Sequence, residues 1–415
     1  MSDLLNIGLS GVTAYRVALA AVGDNVANAE VEGYARRSIR LTDNGVPGRE
    51  AIGQPKSLTF SGVKAASVER MWDDFQAAES RLAASAAGRA TARQYWLDNV
   101  EGALGYGDLS VGARMGDFYN AGTALAANPR DRVGRATMIA ALDETAATIR
   151  TTADQLRKTA DGIAGAAGRD VGALNADLAA LADLNVSLRQ AEPGRSSFAS
   201  LQDERDRLVD RIASKIDVAA TVADDGTVTL TLASAPSVTL LDRDSQGVVS
   251  VTAAADGRLS LSLQFEGAIT PLPASGGSLA GLVDVAASTA DKRAELEAIA
   301  TQFVSSVNSW SAAGIDLNGN PGGPLLSMPS GAASIQLATS DPALIAAASA
   351  TSDNGNLLDL PAQRGTDGPE ARWSALVAGS AQALATAKSE AAAAATKRDN
   401  AFAARDEVSG IDLDR

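Results

Sequence analysis

The chain has 415 residues, 50 acidic against 36 basic side chains and a net charge of -14, and it contains neither histidine nor cysteine. This length suffices for two to four domains with sizeable cores. The acidic balance argues against nonspecific binding of nucleic acid and against attraction to anionic membranes. The missing residue types exclude disulfides, thiolate metal sites and the usual general base.

The first predicted element is a short amphipathic helix at the N-terminus. Its apolar residues recur at a four-then-three spacing, which forms one stripe suited to a coiled-coil seam. The stripe consists of Leu5, Leu9, Val12, Leu19 and Val26. Three glycines weaken this helix in isolation, so we expect it to form mainly against partners. Asn25, Asn28 and Gly33 supply the turn chemistry that ends it. An N-terminal helix packed on its own domain would show the same pattern.

Neither a cleavable signal peptide nor a membrane span is expected. Residues 1–25 lack the basic segment and the continuous apolar core of a signal peptide. No window is expected to approach the run of about 20 apolar residues that a membrane-spanning helix needs. These features alone would place the protein in the cytoplasm.

Helical periodicity dominates the chain up to residue 215. Residues 35–65 are predicted to be extended, because glycine and proline punctuate them. Apolar residues three and four apart then predict helices that bury one face. These helices cover residues 67–104, 115–127, 131–167, 171–190 and 201–212.

At Ile216 the period changes from helical to alternating. Thr227–Leu232 and Arg258–Phe265 alternate apolar and polar residues, and each run follows an Asp-Gly turn typical of hairpins. Helical patterning returns over 278–310 and, after a loop-rich stretch, over 369–405. The predicted fold class is therefore mainly α with a β insertion. An elongated helical-bundle rod domain is built from both chain ends, and a small β domain is inserted in it. Because this insertion has its own turns and alternating pattern, we expect it to carry its own core.

Five segments follow from this organisation. The N-terminal assembly helix and extended segment come first, then the two parts of the rod domain flanking the β domain, and last the start of a truncated C-terminal assembly segment. Their predicted bounds are 1–65, 66–215, 216–275, 276–405 and 406–415.

Candidate sites for chemistry are few. Asp316, Asn318 and Asn320 have the spacing that opens a calcium loop, but proline and serine stand where that loop needs glycine and glutamate. A turn held by side-chain-to-backbone bonds is therefore favoured. The charged run from Asp203 to Asp210 predicts a solvated face or inter-helix ion pairs. We expect no catalytic residue, no cofactor and no metal.

The N-terminal segment resembles the signature of bacterial flagellar axial proteins, the rod, hook and hook-associated family. The residues that carry the resemblance are Ser10-Gly11-Val12, Asp24-Asn25-Val26-Ala27-Asn28 and Gly33-Tyr34-Ala35-Arg36. Many relatives have threonine in place of Val31, and the hook-associated members, which are the most similar, usually have glutamine in place of Arg37.

Five further islands in the family's order extend the resemblance across nearly the whole chain. They are residues 125–135, 201–206, 276–282, 307–319 and 408–414. Relatives continue beyond the last island with a long apolar helix, whereas this sequence stops at Arg415. We therefore expect a truncated chain.

The resemblance implies a structural protein of the flagellum, without enzymatic activity, at the junction of hook and filament. Implied partners are copies of itself, the hook protein, the second hook-filament junction protein and an export chaperone that grips the missing C-terminal segment. Nucleic acid and membrane are not implied. The implied location is the extracellular flagellum, reached through type III export without a cleaved signal peptide.

The helical ends of the chain are the predicted assembly interface of this reading. It comprises Leu5, Leu9, Val12, Leu19, Val26, Asn25, Asn28, Gly33, Tyr34, Arg36, Ser409, Gly410, Asp412 and Leu413. Three alternatives remain open. One is another axial protein such as the hook protein, one is a surface adhesin with a β head on a helical stalk, and one is a secreted hydrolase.

Overall fold

The computed structural model describes residues 2–31, 33–44, 62–105, 107–273 and 275–410. The described residues form eight α-helices. They are α1 (Ser2–Ala27), α2 (Asp74–Leu104), α3 (Val111–Leu125), α4 (Arg132–Gln190), α5 (Ser196–Lys215), α6 (Gly277–Ala313), α7 (Gly355–Asp359) and α8 (Pro369–Ser409). With the small sheets below, they confirm the predicted fold class.

All described sheets are small and antiparallel. β1 (Arg37–Asp43) pairs with β2 (Val63–Arg70) beside α1. The β insertion holds a four-stranded sheet in the order β3-β4-β5-β6 and a three-stranded sheet in the order β7-β8-β9. Their strands are β3 (Val218–Val222), β4 (Val228–Leu232), β5 (Thr239–Asp242), β6 (Ser245–Gln246), β7 (Val248–Ala253), β8 (Leu259–Phe265) and β9 (Ala268–Pro271). β10 (Leu326–Ser327) and β11 (Gln336–Leu337) pair in the loop-rich stretch.

The helix predicted from residue 67 begins seven residues later. Residues 63–70 instead form β2, which crosses the predicted segment boundary at residue 65. The Asp73 carboxylate accepts hydrogen bonds from the amide nitrogens of Phe75 and Gln76 (2.9 and 3.1 Å), so it caps α2 and fixes its start.

The break predicted between residues 167 and 171 was wrong, because α4 is one continuous helix of 59 residues. At 1.5 Å per residue it is about 90 Å long. Its buried residues keep one face across the expected break, and that packing outweighs the cost of the glycines between them. Those residues are Ile163, Ala167, Val171 and Leu174.

Three apolar clusters lie along α4. One joins α3, the first half of α4, the end of α6 and the loops before α8, with Phe118 and Phe303 at its centre. A second joins α2, α4, α6 and α8 around Leu97 and Ile163. The third joins the second half of α4 and α5 to the β insertion, where Leu230 is fully buried. The β insertion therefore shares its core with the helices, contrary to the separate core that its sequence pattern suggested.

Candidate assembly interface at the chain ends

The apolar stripe predicted on α1 is open to solvent in the described structure. The stripe residues are largely exposed, with Leu5 at 75%, Leu9 at 65% and Leu19 at 71%. The opposite side of α1 faces the β1–β2 hairpin through small residues, since Ala14 and Ala21 are buried and the Ser10 hydroxyl accepts a bond from the Val63 amide (3.2 Å). α1 thus presents a long apolar face that a protein partner can cover.

From the sequence we expected no helix long and apolar enough to span a membrane. By length and composition that expectation was wrong. Leu4–Ala27 has a mean hydropathy of 1.3 over its best window and is long enough to cross a bilayer. Such a helix near an N-terminus is weak evidence for a span. Arg16 lies at its middle, where a charge costs about 3 kcal/mol in a bilayer, so the exposed face fits protein contact better.

Asn25, predicted as an interface residue, faces inward. Its amide oxygen accepts the Arg37 backbone N–H (2.9 Å), and its amide nitrogen donates to the Arg37 carbonyl oxygen (2.9 Å). The Tyr34 hydroxyl also donates to that amide oxygen (3.0 Å). Asn28, in the turn directly after α1, donates to the Asp24 carbonyl oxygen of that helix (2.8 Å). Asn25 therefore joins the end of α1 to the start of β1.

A row of aspartates on α5 holds the hairpin and two neighbouring helices. Asp203, Asp206 and Asp210 recur at spacings of three and four, which places them on one helical face; we call them the acid face. Five arginines from four parts of the chain pair with it. They are Arg37 and Arg70 of the hairpin, Arg81 of α2, Arg205 of α5 and Arg405 of α8.

The acid face is buried at its first two positions. Asp203 and Asp206 are each 2% exposed, so the solvated face considered from the sequence was wrong, and the ion pairs between chain segments are present. Burial works to raise the pKa of Asp206, but the guanidinium groups of Arg205, Arg70 and Arg81 together hold that pKa below its usual value. For Asp203, burial raises the pKa, and Arg70 and Arg37 offset only part of the effect.

The two ends of the described chain meet beside this face. The Arg36 amide donates to the Ser409 carbonyl oxygen (2.8 Å), and Arg405 reaches Asp210 (2.8 Å). A cleft of about 880 Å³ lies between the turn before β1 and the last turns of α8, and Gly33, Tyr34, Arg36, Ser409 and Gly410 all line it. The structure thus brings together five of the predicted residues, three from the N-terminal part and two from the C-terminal part of the chain, whereas the stripe residues of α1 do not line this cleft.

Gly33 has a steric role at this junction. Its φ is +75°, and a Cβ there would lie 2.4 Å from the Arg207 side chain of α5.

The predicted residues Asp412 and Leu413 lie outside the described residues. The calcium-like loop is a turn, because the Asp316 carboxylate accepts the amide hydrogens of Asn318 and Asn320 (both 2.8 Å).

Sequence reasoning missed the inward role of Asn25 and Arg37, and for the acid face it left a solvated face and inter-helix ion pairs open. The three-and-four spacing of Asp203, Asp206 and Asp210 was a usable signal for a helix face that binds cations. Apart from Arg205, which is adjacent to Asp206, their arginine partners lie 125 to 195 residues away in sequence, so no local pattern could identify those pairs.

Comparisons with known proteins agree with this architecture. A family model described as the flagellar hook-associated protein FlgK helical domain matches residues 97–326. Flagellar hook-associated protein 1 of Escherichia coli K12 is 25% identical over 330 residues, which are 78% of this chain and 59% of the relative. The same-named protein of Bacillus subtilis 168 is 25% identical over 244 residues, covering 58% and 48%.

A solved structure has the same fold. The flagellar hook junction protein FlgK from Burkholderia pseudomallei superposes with a TM-score of 0.71 over 80% of this chain and all of the other, at 13% identity. The chain spans 59% of the length of the E. coli relative.

Proposed function

Because the chain belongs to the family of flagellar hook-associated proteins defined by the FlgK helical domain, we propose that it is a structural subunit of the bacterial flagellum. It assembles at the junction between hook and filament and performs no catalysis. The observation that carries the assembly role is the apolar face of α1, which is exposed along the whole helix.

Assembly follows from covering that face. Each large aliphatic side chain that moves from water into an interface contributes roughly 1.5–3 kcal/mol. Ordering of the terminal segments offsets part of this gain. A head-to-tail contact that does not close on itself then extends into a helical or tubular assembly. Ser409 and Gly410 line the same cleft as Gly33 and Tyr34, and the proposed interface also includes Asp412 and Leu413.

The proposed partners are further copies of the chain, the hook protein below it and a second junction protein above it. An export chaperone is proposed to bind before assembly. The protein is placed in the extracellular flagellum and is exported without a cleaved signal peptide. The exposed face of α1 supports these contacts, since an isolated subunit leaves that face uncovered.

The adhesin alternative needs a β head that stands apart from its stalk. The β insertion instead packs Leu230, Leu232 and Leu263 against α4 and α5 in one shared cluster. That packing supports a domain built into the side of the rod and gives no separate binding head.

The decisive experiment is electron microscopy of flagella from a deletion strain complemented with variants. The double variant Leu9→Asp, Val12→Asp puts two charges on the stripe, where burial without a partner costs several kcal/mol. We expect normal export and a normal melting temperature, but hooks without filaments. Motile cells carrying this variant would overturn the proposal.

A matched control adds the same charge elsewhere. Val222 and Ile269 are exposed apolar residues of the β insertion, 40% and 71% accessible. Val222→Asp with Ile269→Asp should leave filaments intact. The adhesin alternative makes the opposite prediction for this pair, because it places binding on the β insertion.

A further inference from the structure

α1 and the β1–β2 hairpin form a unit that we call the N-terminal arm. α1 packs along both strands of the hairpin. Among the residues that the structure describes, the three apolar clusters contain none before Ala92. The arm is therefore attached to the helical bundle without sharing its apolar core.

Polar contacts make the attachment instead. Arg37 donates to Ser196, Ser200 and Asp203, each at 3.0 Å. Arg70 pairs with Asp203 at 2.8 Å and with Asp206 at 2.9 Å. The backbone adds two bonds at 2.8 Å, from Val68 to the Gly194 carbonyl oxygen and from Arg36 to that of Ser409. The side chains of Arg37, Arg70 and Asp203 are all less than 10% exposed.

Such a joint is directional. Hydrogen bonds between charged groups need defined geometry, whereas apolar surfaces tolerate sliding. Arg37 is the meeting point, because its backbone is held by Asn25 of α1 while its side chain is held by α5. Arg37 thereby ties the direction in which α1 leaves the bundle to α5, and Arg70 ties the second strand of the hairpin to the same helix.

We propose that Asn25 and Arg37 are positioning residues that fix the direction of the N-terminal arm before assembly. The inference rests on the proposed assembly role of α1 and adds how the apolar face is aimed. An arm whose direction is fixed in advance loses less conformational freedom on assembly. The joint can be released without unfolding the bundle, since it lies outside the clusters that hold the bundle together.

The test measures the distance between spin labels on the isolated full chain. The sequence has no cysteine, so Ala20→Cys on α1 and Ala86→Cys on α2, both exposed, can be labelled without competing thiols. Pulsed electron paramagnetic resonance should give one narrow distance distribution for this parent. A broad distribution in the parent would overturn the proposal.

Two variants with matched controls locate the effect. Arg37→Ala removes the attachment to α5, and its control Arg40→Ala removes an exposed pair with Glu69 inside the hairpin (3.4 Å). Asn25→Ala removes the link to α1, and its control Asn28→Ala removes a bond from the turn after α1 back to Asp24. We expect broadening in the first member of each pair, an unchanged distribution in each control, and a single cooperative melting transition of the bundle in every variant.

Other outcomes overturn the proposal. A narrow distribution in Arg37→Ala shows that the arm is held elsewhere, and broadening in both members of a pair shows a general weakening of the arm. Leu9→Asp with Val12→Asp separates the two proposals, because it should block assembly while leaving the distance distribution narrow. If that variant assembles, the assembly role fails while the distance measurement still decides the role of Asn25 and Arg37.

Discussion

The side chain of Asn25 bonds both the backbone N–H and the backbone carbonyl of Arg37, at 2.9 Å each. The same arrangement occurs twice on α4, where Asn175 bonds both backbone groups of Val249 and Asn185 those of Val228. An asparagine amide has a donor and an acceptor side by side, so it can replace one residue of a neighbouring strand. In each case it fastens a helix to the backbone of a strand.

This contact predicts a sharp change in amide exchange along the N-terminus. α1 has three glycines and an uncovered apolar face, so its amides from Leu4 to Val22 should exchange fast in dilute monomer. The amides of Arg36 and Arg37 are bonded to Ser409 and Asn25 and should exchange more slowly. Hydrogen exchange followed by mass spectrometry measures both. Uniform rates from residue 4 to residue 37 would contradict the prediction.

Sequence patterns predicted the elements of this fold better than their contacts. The change of period at Ile216 located the β insertion, because alternation and turn residues are local signals. The β1–β2 hairpin was missed, since residues 44–62 separate its strands and a pairing across so long a connection leaves no local sequence pattern. The stripe on α1 was predicted, whereas Asn25 was assigned to the turn after α1 and to the assembly interface. Its bonds to the backbone of Arg37, 12 residues away, have no local sequence signature.

Asp203 and Asp206 should contribute to stability with opposite dependence on pH. The lowered pKa of Asp206 means that its charge stabilises the fold above the ordinary aspartate pKa of about 4, and that this contribution is lost as the pH falls through the lowered value. The raised pKa of Asp203 reverses the sign. The stabilisation that comes from the protonated Asp203 carboxyl is fully present below the ordinary aspartate pKa. It is lost as the pH rises through the raised pKa of Asp203.

Two isosteric variants test this difference by urea unfolding. At pH 7, Asp206→Asn leaves three buried arginines short of a partner and should lower the free energy of unfolding by about 3 kcal/mol. The deficit should shrink below the ordinary aspartate pKa. Asp203→Asn should leave the free energy at pH 7 unchanged or raise it, because the amide still accepts from Arg37. Equal losses in both variants would contradict the assignment.

The shared core of the β insertion predicts that strand residues stabilise helices. Leu230 is fully buried on β4 within the cluster of α4 and α5. Leu230→Ala should cost about 2–5 kcal/mol and lower the melting temperature of the helical signal in far-ultraviolet circular dichroism. Val222→Ala, at an exposed position of β3, serves as the control and should change stability by less than about 0.5 kcal/mol. An unchanged helical transition in Leu230→Ala would restore the reading of a separate β core.

Gly281 marks a close approach of α6 to α2. A Cβ at this position would lie 2.3 Å from the Arg89 carbonyl oxygen and 3.1 Å from the Ala92 side chain. Because the nearest atom belongs to helix backbone, α6 would have to move away from α2. Gly281→Ala should therefore cost about 1–3 kcal/mol despite the higher helix propensity of alanine.

Gly172, in the middle of α4, provides the matched control for this substitution. A Cβ there would meet nothing within 4 Å, so the gain in helix propensity is not opposed by a clash. Gly172→Ala should raise the free energy of unfolding by up to about 1 kcal/mol. Chemical unfolding of the two variants and of the parent measures whether each substitution raises or lowers the free energy of unfolding. If Gly281→Ala also stabilised the protein, the two helices would have room to separate, and the close crossing would not be a requirement of the fold.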